Sequence, residues 1–329
     1  MRLLCITDPL THPPEDSTVW LYQLLPADPR FEVYHLEASR VGMSDEIPVL
    51  RVEAPLTFEE FRAFAGRATV PARYTDFDLV FPRTDKPYPP DFLPGLIRQE
   101  RNARFVSLPS SMLACDVRSF YRAHASRFLA PGLMTRSVED AAGFVRATGA
   151  TVAKRNRSYG GKGISRILPD GGGWRLEHAS GESAASGTVE ELVEILLALD
   201  PEPYEFVRYL PRATAGDKRV CVVEDQIYGA FLRVARKGGW LNNISSGASA
   251  LPATVTDGEV RIIKATSPAY LERGLLTLGY DFLQDDSGDW ILSEVNASSN
   301  TGGYNWIELV GGASVFPRLF DWLLEVARR

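Results

Sequence analysis

The chain has 329 residues, of which 45% are hydrophobic and 24% charged, and its formal net charge is -6 at pH 7. These values indicate a soluble globular protein of two or three packed units, and they disfavour a nucleic-acid partner, which needs a basic surface. No apolar run approaches the roughly 20 residues that a membrane-spanning helix needs, so no membrane partner is expected.

The first apolar run is short and ends at Asp8 and Pro9, which predicts a buried first strand rather than a signal peptide. The chain also has three cysteines, which lack the spacing of a metal site. Buried thiols are typical of a reducing compartment, so the expected location is the cytoplasm. These cysteines are Cys5, Cys115 and Cys221.

The first part of the chain alternates short apolar runs with helical patterns. This alternation predicts a parallel sheet covered by helices. The segment at residues 105–108 indicates a further short strand, and a turn at 109–111 is expected to close the domain. The other predicted strands are residues 3–7, 31–36 and 79–82, and the predicted helices are 17–25, begun by Asp16 or Ser17, and 58–65.

The middle of the chain begins with two helical patterns, and from Thr151 it changes to strand and turn patterns. A strand at 152–154, a glycine-rich turn and a strand at 164–168 predict a hairpin. The glycines at 171–173 and the polar stretch at 180–187 indicate a second, flexible hairpin. The predicted helices of this part are residues 117–128, 138–148 (begun by Ser137) and 189–199.

The last part is rich in strand patterns, with helices near residues 259–278 and 316–327. A polar, glycine-rich stretch at 238–247 predicts a mobile loop over a site. The predicted strands are residues 205–209, 219–223, 228–234 and 290–295.

The glycine-rich turn follows a lysine, Lys154, at the end of a strand. Glycines allow backbone N–H groups to approach phosphate oxygens, although an isolated Gly-Gly pair is more often an ordinary hairpin turn. Gly163 stands where a Walker A loop needs Ser or Thr, and a strand follows where a dinucleotide fingerprint needs a helix. Because a buried ammonium needs an anion, the remaining interpretation is a phosphate-binding flap with Lys154 at its base.

Two acids, Asp281 and Glu294, stand beside apolar strand residues. Two carboxylates in one site repel each other unless a cation lies between them. Asn296 is two residues after Glu294 and therefore lies on the same face of the strand. Oxygen ligands from these three residues suit Mg²⁺, and the alternative is that the acids are unrelated.

Two arginines, Arg219 and Arg233, lie in apolar strands, where a guanidinium faces either a bound anion or an acidic partner. The alternative interpretation is a pair of surface or salt-bridged arginines. The histidines show no metal-ligand spacing and are interpreted as structural or exposed, and no Gly-x-Ser-x-Gly elbow occurs. The histidines are His12, His35, His124 and His178.

The ordered set of these motifs resembles the ATP-grasp superfamily, and most closely the bacterial-type glutathione synthetases. The resemblance runs through nearly the whole chain. The matching segments are Asp8-Pro9 with Asp16-Ser17-Thr18, Pro82-Arg83-Thr84-Asp85-Lys86-Pro87-Tyr88, Cys115-Asp116-Val117-Arg118, Tyr209-Leu210-Pro211, Gly216-Asp217-Lys218-Arg219-Val220, and Gly238-Gly239 with Asn243 in the lid region.

The resemblance implies an α/β (α+β) protein with an ATP-grasp fold and an N-terminal Rossmann-like (pre-ATP-grasp) domain. It implies three units: residues 1–113 on the substrate side, a central ATP-grasp subdomain at 114–198 with the phosphate loop, and a C-terminal subdomain at 199–329 with the metal site and lid. It also implies self-association as a homodimer or homotetramer.

The resemblance further implies site residues, a nucleotide and a metal. Arg219 and Arg233 would be catalytic, and Asp281, Glu294 and Asn296 would hold Mg²⁺, with two ions expected and Mn²⁺ as a possible substitute. The residues implied for ATP are Arg118, Lys154, Tyr159, Gly160, Gly161, Glu205, Phe206, Val207, Tyr209, Leu210 and Asp217, with the segment 205–210 as the adenine hinge and Asp217 on the ribose. Those implied for the carboxylate substrate are Asp16, Ser17, Arg83, Asp85 and Asn243.

The implied activity is ATP-dependent ligation of a small carboxylate to an amine through an acyl phosphate. The chain departs from the family pattern at Arg118, where the family has lysine, at residues 240–242 and at residues 297–304. Two alternatives therefore stay open. One is a ligase of specialised metabolism with a different amine or carboxylate, and the other is a nucleotide-binding or kinase-like protein that forms no amide.

Overall fold

The computed structural model describes residues 1–179, 185–235, 242 and 247–329. The first sheet has five strands in the order β4-β3-β2-β1-β5. They are β1 (Arg2–Thr7), β2 (Glu32–Glu37), β3 (Glu46–Val52), β4 (Val70–Arg73) and β5 (Leu79–Pro82), with helices α1 (Ser17–Leu24), α2 (Phe58–Arg62), α3 (Phe92–Gln99) and α4 (Pro109–Cys115).

The first sheet is mixed, not parallel throughout as the sequence pattern predicts. β1 is parallel to both β2 and β5, but β3 is antiparallel to β2 and to β4. The connection at residues 38–45 is shorter than the dozen or so residues that a parallel crossover needs, so the chain turns back directly. The mixed order leaves the carboxyl ends of β1 and β5 side by side.

Two local predictions near the end of this unit are wrong. Residues 105–108 form only isolated bridges, from Phe105 to Val80 and from Ser107 to Leu275, rather than a strand. Residues 109–111 are the first turn of α4, where Pro109 is well suited because a first-turn residue needs no intrahelical N–H bond.

The second sheet has six strands in the order β10-β9-β8-β7-β11-β6, and every neighbouring pair is antiparallel. The predicted hairpin is confirmed as the β7–β8 pair. One face is covered by α6 and α7, which bury Val145, Leu192 and Leu196 against Ile167 and Phe206. Its elements are β6 (Gly132–Thr135), α6 (Val138–Thr148), β7 (Thr151–Arg155), β8 (Ile164–Asp170), β9 (Gly173–His178), β10 (Ala185–Gly187), α7 (Val189–Ala198) and β11 (Tyr204–Arg208), preceded by α5 (Arg118–Ala125).

The third sheet has five strands in the order β14-β13-β12-β15-β16, again antiparallel. The helix predicted near residues 259–278 is too long: Pro268 starts a separate short helix, and residues 277–284 are a buried strand. The elements are β12 (Asp217–Val223), β13 (Gln226–Val234), β14 (Ser249–Pro252), α8 (Asp257–Thr266), α9 (Pro268–Leu271), β15 (Thr277–Gln284), β16 (Trp290–Asn296), α10 (Tyr304–Leu309) and α11 (Phe316–Arg328).

The first and third sheets share one hydrophobic core. Helix α11 buries Phe316, Leu319 and Leu323 in the same cluster as Leu3 of β1 and Cys221 of β12. This packing fixes the carboxyl ends of β1 and β5 against the third sheet. Within the described residues, no helix combines the length and apolarity needed to span a membrane.

Candidate active site

A cleft of about 1440 Å³ lies where the three sheets meet. Its walls carry side chains from each predicted group: the glycine turn between β7 and β8, the two strand arginines, the acids of β15 and β16, and the N-terminal motifs. Those lining residues include Asp16, Ser17, Asp85, Arg118, Tyr159, Gly160, Gly161, Arg219, Arg233, Asp281, Glu294 and Asn296. The fold therefore brings together residues that are far apart in the chain.

The turn between β7 and β8 needs glycine for its backbone conformation. Gly160, Gly161 and Gly163 have φ values of 58°, 78° and 78°, in the left-handed region that other residues rarely adopt. A Cβ on Gly163 would lie 2.9 Å from the Cδ atom of Arg155. Lys162 lies 5.4 Å from the ring centroid of Tyr159, so the turn also carries an exposed cation beside the cleft.

Lys154 on β7 lies directly opposite Glu205 on the neighbouring strand β11. Its Nζ atom is 3.9 Å from Glu205 Oε2, and the Glu205 side chain is 0% exposed. The same carboxylate accepts hydrogen bonds from the Tyr121 hydroxyl at 2.7 Å and from Arg122 Nε at 2.7 Å. Burial lowers the pKa of Lys154, and the lysine is held beside a counter-charge before any ligand arrives.

Glu205 is therefore part of a buried ionic network and not an adenine contact through its side chain. Although burial raises its pKa, the nearby cations Lys154 and Arg122 outweigh this effect, and the pKa of Glu205 is lowered. Phe206 also points away, because its ring lies in the core under α6 and α7. A second cavity of about 120 Å³ is lined instead by Val207, Tyr209, Leu210 and Asp217, together with Lys154.

Asp281 is the centre of a charged network formed by the four neighbouring strands β13, β12, β15 and β16. Arg219 binds it in a bidentate manner, with Nε 2.5 Å from Oδ1 and Nη2 3.0 Å from Oδ2. Arg233 Nη2 lies 2.8 Å from Oδ1, and Asn296 Nδ2 donates to Oδ2 at 2.9 Å. Although burial acts to raise it, these two arginines hold the pKa of Asp281 at about 2.

Two further acids border this network. Arg233 Nε lies 2.5 Å from Asp217 Oδ1. Burial raises the pKa of Asp217, and this effect is larger than that of the arginine, which acts to lower the pKa. Glu294 is opposite Asp281 in the β15–β16 register, and its Oε2 is 3.2 Å from Arg118 Nη1. Asp281, Glu294 and Asn296 offer only oxygen ligands on one wall of the cleft, a donor set that fits Mg²⁺.

The residues predicted for the carboxylate substrate separate into two groups. Asp16, Ser17 and Asp85 line the cleft. Arg83 does not: it is 1% exposed, its guanidinium lies over the Phe81 ring, and its Nη1 donates to the Thr301 carbonyl at 2.8 Å. Because that guanidinium is buried beneath the cleft wall, the prediction that it meets a substrate is not supported. Ser17 is 3% exposed, and its hydroxyl donates to Asn305 Oδ1 at 2.6 Å.

The predicted substrate contact Asn243 lies outside the described residues, as does most of the predicted loop at 238–247. The neighbouring residue Asn242 is described. Its Nδ2 donates to the Ala213 carbonyl at 2.7 Å, and it lines the smaller cavity.

Three side chains that organise the site were not predicted from the sequence. Tyr121 and Arg122 on α5 bind Glu205, and His12 lies between Asp16 and Asp85 with Nδ1 at 3.2 Å and 3.3 Å from their oxygens. Burial acts to lower the pKa of His12, but Asp16 and Asp85 raise it to about 9. The spacing of His12 and Asp16, four residues apart, was the only signal of this cluster in the sequence.

Comparison with known proteins identifies relatives along most of the chain. The family model described as prokaryotic glutathione synthetase, ATP-grasp domain, matches residues 119–309. A glutathione synthetase of Parasynechococcus marenigrum (strain WH8102) is 26% identical over 310 residues, which cover 92% of each chain. One from Prochlorococcus marinus subsp. pastoris is 23% identical over 255 residues, 76% of each chain.

Solved structures share the fold at lower sequence identity. D-alanyl-alanine synthetase A from Vibrio cholerae has a TM-score of 0.62 and 12% identity, and the match covers 100% of this chain and 97% of that one. A RiPP-associated ATP-grasp ligase of Chryseobacterium gregarium, in complex with ADP and a leader and core peptide, has a TM-score of 0.62 and 13% identity, with 98% and 96% covered. At this identity the likeness is one of fold.

Proposed function

Since this chain belongs to the family of prokaryotic glutathione synthetase ATP-grasp domains, and is an ADP-forming ligase that makes C–N bonds, we propose that it joins a small carboxylate to an amine in the cleft between its three sheets. The observation that carries this proposal is the network around Asp281. Two arginines, Arg219 and Arg233, meet Asp281 of the metal set there, in the cleft that the glycine turn also lines.

ATP and Mg²⁺ are the nucleotide and metal of this family. We assign the adenine pocket to the smaller cavity, bordered by Val207, Tyr209 and Leu210, with Asp217 on the ribose. Lys154, Arg118 and the backbone of Gly160 and Gly161 would bind the phosphates. Lys154 is suited to this role because Glu205 holds it in the wall of the smaller cavity, which Asp281 and Glu294 also line.

Asp281, Glu294 and Asn296 would hold Mg²⁺, as two ions or with Mn²⁺ in their place. When bound, the metal neutralises charge on the phosphates. Each of the two acids is already paired with an arginine, Asp281 with Arg219 and Glu294 with Arg118. Entry of a metal–nucleotide complex would separate these two ion pairs. The acids would then bind the metal, and the arginines would bind the phosphates.

The proposed reaction begins with attack of the substrate carboxylate on the terminal phosphoryl group, which gives an acyl phosphate and ADP. The amine then displaces phosphate to form the amide. Arg219 and Arg233 are placed to stabilise negative charge on the transferred group, which is where such reactions gain most of their rate. Exclusion of water from the cleft would protect the acyl phosphate from hydrolysis.

Activity measurements with a defined substrate pair test this proposal. Phosphate release would be followed with ATP, Mg²⁺ and γ-glutamylcysteine, with and without glycine, and then with a panel of other amino acids and dipeptides. Release that depends on the amine supports a ligase, and the responding pair identifies the substrates. Release that is independent of every amine would indicate a kinase-like or hydrolytic protein and contradict the proposal.

A matched pair of variants connects that activity to the site. Lys154→Ala is expected to abolish turnover, whereas Lys264→Ala, on the exposed side of α8, is expected to keep it. Equal activity of both variants would contradict the assignment of the phosphate site.

The remaining proposals concern organisation and rest on the resemblance to the family. We place unit boundaries after residues 113 and 198, and limited proteolysis followed by mass spectrometry would test them. A homodimer or homotetramer is proposed, and light scattering after size exclusion would decide between these states and a monomer. A cytoplasmic location is proposed on the same ground and would be tested by cell fractionation.

A further inference from the structure

The structure assigns a second metal site, distinct from the Mg²⁺ set, to His12, Asp16 and Asp85, and we propose that it binds Zn²⁺. The Nδ1 atom of His12 lies 3.2 Å from Asp16 Oδ1 and 3.3 Å from Asp85 Oδ2. One ligand atom from each of the three residues lies within 4.8 Å of the other two. Two atoms that bind one tetrahedral zinc ion are about 3.3 Å apart, given bonds of about 2.0–2.1 Å.

The Nδ1 atom of His12 points into this group. The Thr7 hydroxyl donates its hydrogen to the Arg83 carbonyl at 2.7 Å, so it must accept from His12 Nε2, which lies 2.5 Å away. Nε2 therefore carries a hydrogen, and Nδ1 faces the two carboxylates, where a bound metal ion would replace the proton that they attract. His12 is 2% exposed, and its Nδ1 makes no hydrogen bond of acceptable geometry with any described residue.

The outer surroundings of the three side chains hold them in this arrangement. Asn300 Nδ2 donates to Asp85 Oδ1 at 2.6 Å and to Asp16 Oδ2 at 3.3 Å, so each acid presents its other oxygen to His12. Thr18 fixes the Asn300 amide from the opposite side through a 3.2 Å bond to Oδ1. Metal-binding histidines and carboxylates in proteins are oriented by outer hydrogen bonds of this kind.

The donor set favours a transition metal over Mg²⁺. One imidazole nitrogen and two carboxylate oxygens suit Zn²⁺, whereas Mg²⁺ prefers oxygen ligands only. Asp16 and Asp85 line the cleft and are 19% and 38% exposed, while His12 lies behind them. An ion held by all three would therefore direct its fourth position towards the cleft, where a water molecule or a donor atom of a substrate could reach it.

Binding of the metal alone tests this site without reference to ligase activity. Protein treated with EDTA would be titrated with Zn²⁺ by calorimetry and with Co²⁺ by visible absorption, in nucleotide-free buffer at pH 8. We expect one strong site and a tetrahedral Co²⁺ spectrum. Asp85→Asn and His12→Gln should lose that site, and Asn300→Ser should weaken it by roughly 10–100-fold.

Two control variants complete the experiment. His124→Gln changes an exposed histidine on α5, and Glu15→Gln removes a charge next to Asp16, so both should keep the strong site. Asp85→Asn is the decisive variant because its side chain is the most exposed of the three, and circular dichroism would check its fold. Failure of wild-type protein to bind either ion, or equal binding by Asp85→Asn, would overturn the proposal.

Discussion

Arg219 meets Asp281 through two parallel hydrogen bonds across neighbouring strands, with Nε 2.5 Å from Oδ1 and Nη2 3.0 Å from Oδ2. The two residues are directly opposite in the β12–β15 register. Their pairing orients a guanidinium on the cleft wall, and its planar geometry is one that lysine cannot reproduce.

Arg219→Ala is expected to lower kcat for amine-dependent phosphate release by roughly 10²–10³, because it removes a donor aimed at charge that develops in the transition state. Arg219→Lys should recover little of this loss. Steady-state kinetics at saturating ATP measure the effect. Arg261→Ala, at an exposed position of α8, is the control, and an unchanged kcat in Arg219→Ala would contradict the catalytic assignment.

Glu205→Gln should destabilise the protein and weaken nucleotide binding together. The substitution leaves Lys154 and Arg122 without their buried counter-charge, and breaking a buried ion pair costs about 3–5 kcal/mol in the free energy of unfolding. Urea denaturation and calorimetry with ADP and Mg²⁺ measure the two effects. Glu202→Gln removes an acid from a more exposed pair with Arg157 and should change stability by less than about 1 kcal/mol. Equal stability of the two variants would count against the buried network.

Two glycine substitutions should have opposite effects on stability. Gly163→Ala forces a Cβ into a backbone with φ of 78° and places it 2.9 Å from Arg155 Cδ, so a loss of about 1 kcal/mol or more is expected. Gly143 is inside α6, and a Cβ added there would meet no described atom within 4 Å, so Gly143→Ala should gain up to about 1 kcal/mol. Thermal denaturation of both variants measures the difference. A stabilised Gly163→Ala would show that the turn does not need its left-handed conformation.

Stability should fall as the pH is lowered through the range in which His35 would take a proton. Burial lowers the pKa of His35 to about 3, against about 6.5 in the unfolded chain. Between these values the unfolded chain binds the proton and the native protein does not, so the free energy of unfolding rises with pH from about 3 to about 6.5. His35→Gln should flatten part of this slope, whereas His124→Gln should retain it. Urea denaturation at several pH values is the measurement, and identical slopes in wild type and His35→Gln would contradict the prediction.

The features that sequence patterns could predict are local ones. Lys154 and the glycine turn lie in one hairpin, and Glu294 and Asn296 share one strand face by simple alternation. The family motifs then place these parts in an ATP-grasp fold. The start of β15 was missed because the helical pattern of α8 continues in the apolar residues before Thr277, whereas Pro268 and Gly274 interrupt the helix in the structure.

The partners of the charged residues could not be predicted, because they depend on register and on contacts between distant segments. Its place in the sequence predicts that Glu205 belongs to the adenine hinge, but its side chain lies on the face of β11 that meets Lys154 and α5. Arg83 follows a family motif, yet its side chain lies beneath the cleft wall. His12 and Asp85 come together only because β1 and β5 are adjacent parallel strands.

The hydrophobic cluster shared by β1 and α11 has a consequence for synthesis of the protein on the ribosome. Arg30 also bonds to Asp321, a separation of 291 residues. The strand partners of β1, which are β2 and β5, are synthesised early, but the α11 side of its hydrophobic cluster cannot form until residues 316–326 have been added. The middle sheet, whose cluster with α6 and α7 comes from nearby residues, has no such delay. Contacts between distant segments form slowly. Nascent chains are therefore expected to acquire their central hairpins first and to close the cleft last.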